Sequence, residues 1–284
     1  MATAPMNISM NRMDNYCDEK CAYSFNYQTS NICTATNYGS YIHLNYIDSG
    51  TQPPVKFNSN TYTVDNIEIY SPSLHNFNGQ TVDGEIIITH FANNIGNPLI
   101  VCIPFVASGR PANEGTQIIT DIINTTSSHP LKQGSPSINI KLNNYTLNSI
   151  VPTTSFFYYN NTNNYNIIVY GLDNAISVNP SVITSLQKMI TPVSSVQYPN
   201  VEYLEFNKYG PSKEETTGDG QIYIDCQPTG NSTETEAVTY NKSPTTYDTG
   251  SIFQSPIFMY IVLALICVVI LIIINKLLVY IFSS

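Results

Sequence analysis

The stretch that decides the fold of this 284-residue chain runs from residue 66 to residue 90 and reads Asn-Ile-Glu-Ile-Tyr-Ser-Pro-Ser-Leu-His-Asn-Phe-Asn-Gly-Gln-Thr-Val-Asp-Gly-Glu-Ile-Ile-Ile-Thr-His. Residues 67–70 and 85–90, at its two ends, are rich in isoleucine, whereas Pro, Gly and Asn are frequent between them. Short apolar runs bounded by turn residues are typical of β-strands. The stretch therefore predicts one strand at each of its ends.

Runs of the same kind recur over the first 225 residues or so, at residues 42–46, 99–106, 138–142 and 165–170. Two helices are also predicted. In residues 117–124 four isoleucines share one helical face, and in residues 179–189 an Asn-Pro pair supplies an N-cap followed by a proline in the first turn. The predicted fold is mainly β, with a large sheet and a few short peripheral helices.

The C-terminal part of the sequence predicts a membrane anchor over residues 256–282. Residues 257–274 are eighteen apolar residues without a charge, which as a helix would extend ~27 Å, close to a ~30 Å hydrocarbon core. Residues 227–255 are polar and lack periodicity, as in a flexible stalk. Because residues 1–16 contain no apolar run typical of a signal peptide, we expect domain 1–226 to be tail-anchored and to lie on the cytosolic side.

The charge of the chain excludes one class of partner. Lys and Arg total 11 against 20 Asp and Glu, for a formal net charge of -9, and no basic block is present. Nucleic-acid binding requires clustered cations to neutralise phosphates. We therefore expect no nucleic-acid partner.

Six cysteines are present. Cys17 and Cys21 are followed by no second Cys/His pair at zinc-finger spacing, which argues against a structural zinc site. Cys102 lies in an apolar run and is predicted to be a buried thiol. Cys226, where the domain meets the stalk, is our candidate for an intermolecular disulfide that would link a homo-oligomer.

The stretch 66–90 resembles, without a gap, the core signature of the α-class carbonic anhydrases. Weaker resemblance at residues 4–8, 37–46 and 173–178 extends the match to about residues 4–224. The resemblance implies the fold of that family, a large and mostly antiparallel sheet with short flanking helices. The matching residues of the signature are Pro72, Ser73, His75, Asn78, Gly79, Glu85 and His90.

In this family three neutral imidazoles hold a catalytic zinc ion, and the resemblance places Glu68, Tyr70 and Ile87 at those three positions. Isoleucine has no lone pair, and a tyrosine ligand would have to lose a proton whose pKa is ordinarily ~10. We therefore expect no bound metal, no cofactor and no carbonic anhydrase activity.

Other active-site positions of the family are altered as well. Ser40 stands at the position of the proton-shuttling histidine, and Leu74 replaces the glutamate that orders the gatekeeping hydroxyl. Residues 159–164 bear no likeness to the family's Ser-Leu-Thr-Thr-Pro-Pro segment. Glu85 is retained next to the metal site, but its imidazole partner is replaced by Ile87.

The sequence leaves two other uses of these residues open. A new metal site could draw on Glu68, His75, Glu85 and His90, but alternation along a strand puts Glu85 and Ile87 on one face and His90 on the other. Glu68 and Glu85 could form an acid pair like that of a glycosidase. Both alternatives are less favoured than a scaffold without catalytic function.

A carbonic-anhydrase-like domain followed by a stalk and an anchor is similar to the inactive envelope proteins of poxviruses and other large DNA viruses. That resemblance implies a virion membrane protein with its domain outside the particle, attached to host-cell glycosaminoglycan. The acidic charge of this chain argues against a sulfated ligand. We expect a neutral glycan, a protein receptor or another virion protein as the partner, with a purely structural role in the virion membrane as the alternative.

Overall fold

The structure is a computed structural model that describes residues 6–18, 20–30, 32–108, 113–129, 133–142, 145–161, 163–193 and 203–212. The predicted stalk, the predicted anchor and Cys226 lie outside these residues. Within them, no helix has the length and apolar character needed to cross a membrane.

The described residues form fifteen strands, most of them short. In chain order they are β1 (Asn7–Ile8), β2 (Asn15–Tyr16), β3 (Tyr23–Phe25), β4 (Cys33–Asn37), β5 (Ile42–Tyr46), β6 (Val55–Phe57), β7 (Asn60–Tyr70), β8 (Asn76–Phe77), β9 (Gly84–Ala92), β10 (Leu99–Ala107), β11 (Ile138–Asn139), β12 (Phe156–Asn160), β13 (Asn166–Tyr170), β14 (Ile176–Val178) and β15 (Glu205–Asn207). The run at residues 138–142 was expected to be strand throughout, but only its first two residues pair, with β4.

Thirteen strands make one sheet, whose main path has the order β11-β4-β5-β7-β9-β10-β13-β12-β15-β2. Of its pairings, β10 with β13, β10 with β14 and β15 with β2 are parallel, and the others are antiparallel. β1 and β8 form a separate parallel pair. The prediction of a large, mostly antiparallel sheet is confirmed.

In the part of the chain that the structure describes, two α-helices, α1 (Glu114–Ser128) and α2 (Pro180–Met189), pack on one face of the sheet, where their apolar residues join the larger hydrophobic cluster. In α2 the Asn179 side chain accepts a hydrogen bond from the backbone N–H of Ser181, as the predicted N-cap requires. α1 extends beyond the predicted residues 117–124, and the four isoleucines predicted to share one face, Ile118, Ile119, Ile122 and Ile123, are all buried. Short 3-10 helices cover Met10–Arg12, Leu147–Ser149 and Leu172–Asn174.

The central strands are buried on both faces. Along β9, Ile86 and Ile88 belong to the cluster on the helix side, whereas Ile87 belongs to a second, smaller cluster on the opposite side. This second cluster contains Tyr70 and Leu74. The face away from the helices therefore carries Tyr70, Leu74 and Ile87.

Candidate functional site

Glu68, Tyr70 and Ile87 lie together on two neighbouring strands. Glu68 and Tyr70 are two residues apart on β7 and so project from the same face, and Ile87 on β9 lies directly across from Glu68 in the register. All three line one cavity of about 180 Å³. The residues that line it are Asp65, Asn66, Glu68, Tyr70, Leu74, Ile87, Thr89, Phe91, Pro98, Ile100 and Tyr165.

The chemistry inside this cavity is set by a hydrogen bond between two of these side chains. The Tyr70 hydroxyl donates to Glu68 Oε2 over 2.8 Å. Burial, and then the nearby Glu68 carboxylate, raises the pKa of Tyr70 well above its usual value. Tyr70 is therefore a protonated donor near neutral pH and offers no phenolate to a metal ion.

The remaining altered positions are placed differently. Leu74 is buried and lines the cavity, which makes its inner part apolar. Ser40 lies in the turn between β4 and β5 and is not among the residues that line the cavity. Leu74 thus shapes the cavity, whereas Ser40 lies outside its wall.

Behind the cavity a buried hydrogen-bond network involves Glu85, His75 and Tyr159. Glu85 Oε1 lies 2.6 Å from His75 Nδ1, and Glu85 Oε2 accepts the backbone N–H groups of Leu74 at 2.8 Å and His75 at 3.0 Å. His75 Nε2 lies 2.7 Å from the Tyr159 hydroxyl. Because a carboxylate only accepts, His75 Nδ1 is the donor to Glu85 Oε1. Glu85 is therefore partnered by a different imidazole from the one whose position Ile87 occupies.

His75, Glu85 and the Cys102 thiol form a cluster whose potential ligand atoms lie within 4.8 Å of one another. All three side chains are buried. Burial, followed by the Glu85 charge, raises the pKa of Cys102 well above its usual value, which favours the protonated thiol at neutral pH. Both Glu85 oxygens and both His75 nitrogens already have hydrogen-bond partners. The cluster therefore suits a structural network better than a metal site.

His90 lies on the other face of the sheet. Its Nε2 is 2.8 Å from the Tyr27 hydroxyl, its Nδ1 is 3.1 Å from the Leu99 carbonyl oxygen, and Tyr27 belongs to the cluster on the helix side. Burial lowers the pKa of His90 to about 4. Glu68, His75, Glu85 and His90 are thus not brought together, in agreement with the alternation argument.

The cysteines give one result that the sequence did not predict. Cys17 and Cys21 form a disulfide, and both are buried. Glu205 lies near them, but sulfurs joined in a disulfide are not thiolate ligands. Cys102 is a buried free thiol, as predicted, and Cys33 is another.

Sequence reasoning also missed several residues of the cavity wall. Ile100 on β10 pairs in register with Thr89 on β9, and both line the cavity together with Tyr165. The alternation of each strand was readable from the sequence, but neither the neighbour of β9 nor its register was. The identity of the neighbouring strand and its register decide which side chains form the cavity wall.

Comparison with known proteins was informative only at the level of structure, since no family model and no curated protein matches the sequence. An α-carbonic anhydrase from Photobacterium profundum aligns with a TM-score of 0.58 at 14% identity, over 72% of this chain and 88% of that chain. The chain has the α-carbonic anhydrase fold. A carbonic anhydrase from Chlamydomonas reinhardtii in complex with acetazolamide gives a TM-score of 0.57 at 16% identity, over 72% of this chain and 90% of that one.

Dioscorin complexed with ascorbate has the same fold as well. Its TM-score is 0.56 at 16% identity, over 75% of this chain and 87% of that chain. At such identities the likeness establishes the α-carbonic anhydrase fold and nothing finer about the site.

Proposed function

We propose that this chain is a non-catalytic protein of the α-carbonic anhydrase fold, in which Glu68, Tyr70 and Ile87 have replaced the zinc-binding histidines. The observation that carries the proposal is the hydrogen bond from the Tyr70 hydroxyl to Glu68 beside the Ile87 side chain. A carboxylate engaged by a phenol and an alkyl group does not supply the three neutral imidazoles that hold a catalytic zinc ion. Without zinc, no bound water is activated for attack on CO2.

The test of this first part measures zinc and CO2 hydration on the purified full-length chain. We expect no stoichiometric zinc and no activity above the uncatalysed rate. The matched variant carries Glu68→His, Tyr70→His and Ile87→His together, and it should gain zinc because it restores three imidazoles to one cavity. Stoichiometric zinc with activity in the unmodified chain would refute the proposal.

We further propose that the domain is displayed on the outside of a virion as a single-pass membrane protein and attaches the particle to a host-cell receptor. The apolar run at residues 257–274 supports a membrane anchor. The buried Cys17–Cys21 disulfide supports exposure of the domain to an oxidising environment, such as the outside of a released particle. The net charge of -9 favours a neutral glycan or a protein over a sulfated polymer as the receptor.

Cell binding tests this second part. The full-length chain, reconstituted in fluorescent liposomes, should bind host cells saturably, and either neutral glycans or protease treatment of the cells should abolish binding. Liposomes without the chain are the control. Absence of cell binding, together with specific capture of other virion proteins, would replace attachment by the structural role.

A further inference from the structure

The cavity that contains Glu68 has an apolar inner end. Its most deeply buried lining residues are Leu74, Ile87 and Ile100, each no more than 3% exposed. The cavity has a volume of about 180 Å³. An apolar group of a ligand would fit this end better than water would, since apolar surface gains from leaving water.

The charge of the cavity wall has one sign. Asp65 and Glu68 are its ionisable carboxylates, and no Lys, Arg or His is among the described residues that line it. His43 lies across from Glu68 on β5, but the two form no ion pair in the described part of the chain, and the His43 ring contacts Tyr38 instead. The cavity therefore attracts cations and repels anions.

One carboxylate oxygen is available to a ligand. Glu68 Oε2 accepts from Tyr70, whereas Glu68 Oε1 has no hydrogen-bond partner among the described residues. Three aromatic residues, Tyr70, Phe91 and Tyr165, line the same space, and Phe91 is 53% exposed. A carboxylate and aromatic residues around one cavity are groups that attract an ammonium ion.

We propose that this cavity binds a primary ammonium group carried on a short apolar stem, with Glu68 as its counterion. The apolar stem contacts Leu74, Ile87 and Ile100, and the ammonium group donates to Glu68 Oε1. The inference rests on the proposed function, because a zinc ion at Glu68, Tyr70 and Ile87 would need the same space. Such a group occurs in free arylalkylamines and in the lysine side chains of a partner protein.

The experiment is isothermal titration calorimetry on the full-length chain with three probes of similar shape: phenethylammonium, the neutral 2-phenylethanol and the anionic phenylacetate. Phenethylammonium should bind with one site per chain and at least tenfold more tightly than the other two, a difference of ~1.4 kcal/mol. A second arm titrates lysine amide that is acetylated at its α-nitrogen, so that the side-chain ammonium group stays free. Tighter binding of phenethylammonium supports a free amine as the natural ligand, and tighter binding of the lysine amide supports a partner protein.

Glu68→Gln is the deciding variant, because glutamine keeps the size of the side chain and an oxygen for Tyr70 but removes the charge. It should weaken ammonium binding at least tenfold. Glu205→Gln, on β15 and outside the cavity, is the matched control and should leave binding unchanged. Thermal unfolding followed by circular dichroism verifies that both variants are folded.

Equal affinity for the three phenyl probes, no binding of either phenethylammonium or the lysine amide at millimolar concentration, or full binding by folded Glu68→Gln would overturn this inference. Zinc is measured in the same preparation. A zinc-free, inactive chain that ignores the ammonium probe contradicts the cation site alone. Stoichiometric zinc with activity contradicts the proposed function.

Discussion

Acidification should destabilise this protein through His90, whose ring is enclosed in the core on the helix side of the sheet. Burial lowers the pKa of His90 to about 4 from its ordinary 6.5. In the unfolded chain the imidazole takes up a proton below pH 6.5, whereas in the folded chain it stays neutral until about pH 4. The unfolded state thus binds more protons in this window, and the free energy of unfolding falls as the pH decreases.

The expected loss follows from the difference of the two pKa values. At ~1.4 kcal/mol per pKa unit, the shift of His90 corresponds to about 3 kcal/mol between pH 6.5 and pH 4. The free energy of unfolding of a typical domain is about 5–15 kcal/mol, so a loss of this size is a large part of the total. The measurement is urea unfolding of the full-length chain at a series of pH values, followed by circular dichroism.

The control is His90→Gln, because glutamine has both a donor for the Leu99 carbonyl oxygen and an acceptor for the Tyr27 hydroxyl but does not titrate. Its stability at pH 7 is lower if the amide packs less well, but its loss between pH 6.5 and pH 4 should be smaller by about 3 kcal/mol. Carboxylates elsewhere contribute equally to both curves and cancel in the difference. Parallel curves for the two proteins would refute this account of His90.

Two further predictions concern the structure behind and beside the cavity. Glu85→Gln should reduce the free energy of unfolding by roughly 3 kcal/mol, because an amide in place of the carboxylate leaves buried N–H donors facing one another; urea unfolding checks this, and a loss under 1 kcal/mol would contradict it. Gly84→Ala should cost a similar roughly 3 kcal/mol, since a Cβ there would overlap the Phe105 ring and lie 2.5 Å from the Tyr70 carbonyl oxygen. Gly171→Ala, whose Cβ would lie 3.4 Å from Phe157, is its control in thermal unfolding, and equal losses for both would exclude the steric explanation.

The sequence was sufficient where the structure depends on local chemistry. The Asn179-Pro180 pair predicts the first residue of α2, and the apolar residues that follow are buried. The four isoleucines of α1 define its buried face, but its outer turns consist of polar residues that carry no periodic signal, so the helix was predicted too short.

Contacts between distant residues were not predictable in the same way. The family resemblance placed Glu68, Tyr70 and Ile87 at one site, and the three do line one cavity, but the register that puts Glu68 directly across from Ile87 was not predicted. The pairing of Glu85 with His75 depends on how the connection between β7 and β9 folds back, and the wall formed by Ile100 depends on which strand lies next to β9. The Cys17–Cys21 disulfide, too, was not indicated by its spacing.

The network of Glu85, His75 and Tyr159 affects which substitutions this fold can tolerate during evolution. Its hydrogen bonds hold the connection between β7 and β9, which carries Leu74. None of them uses a side chain that lines the cavity, the recess in this surface. The front of the recess can therefore exchange one chemistry for another while the support at its back stays in place. A scaffold with this separation can lose a reaction and still keep a shaped surface on which selection can build recognition.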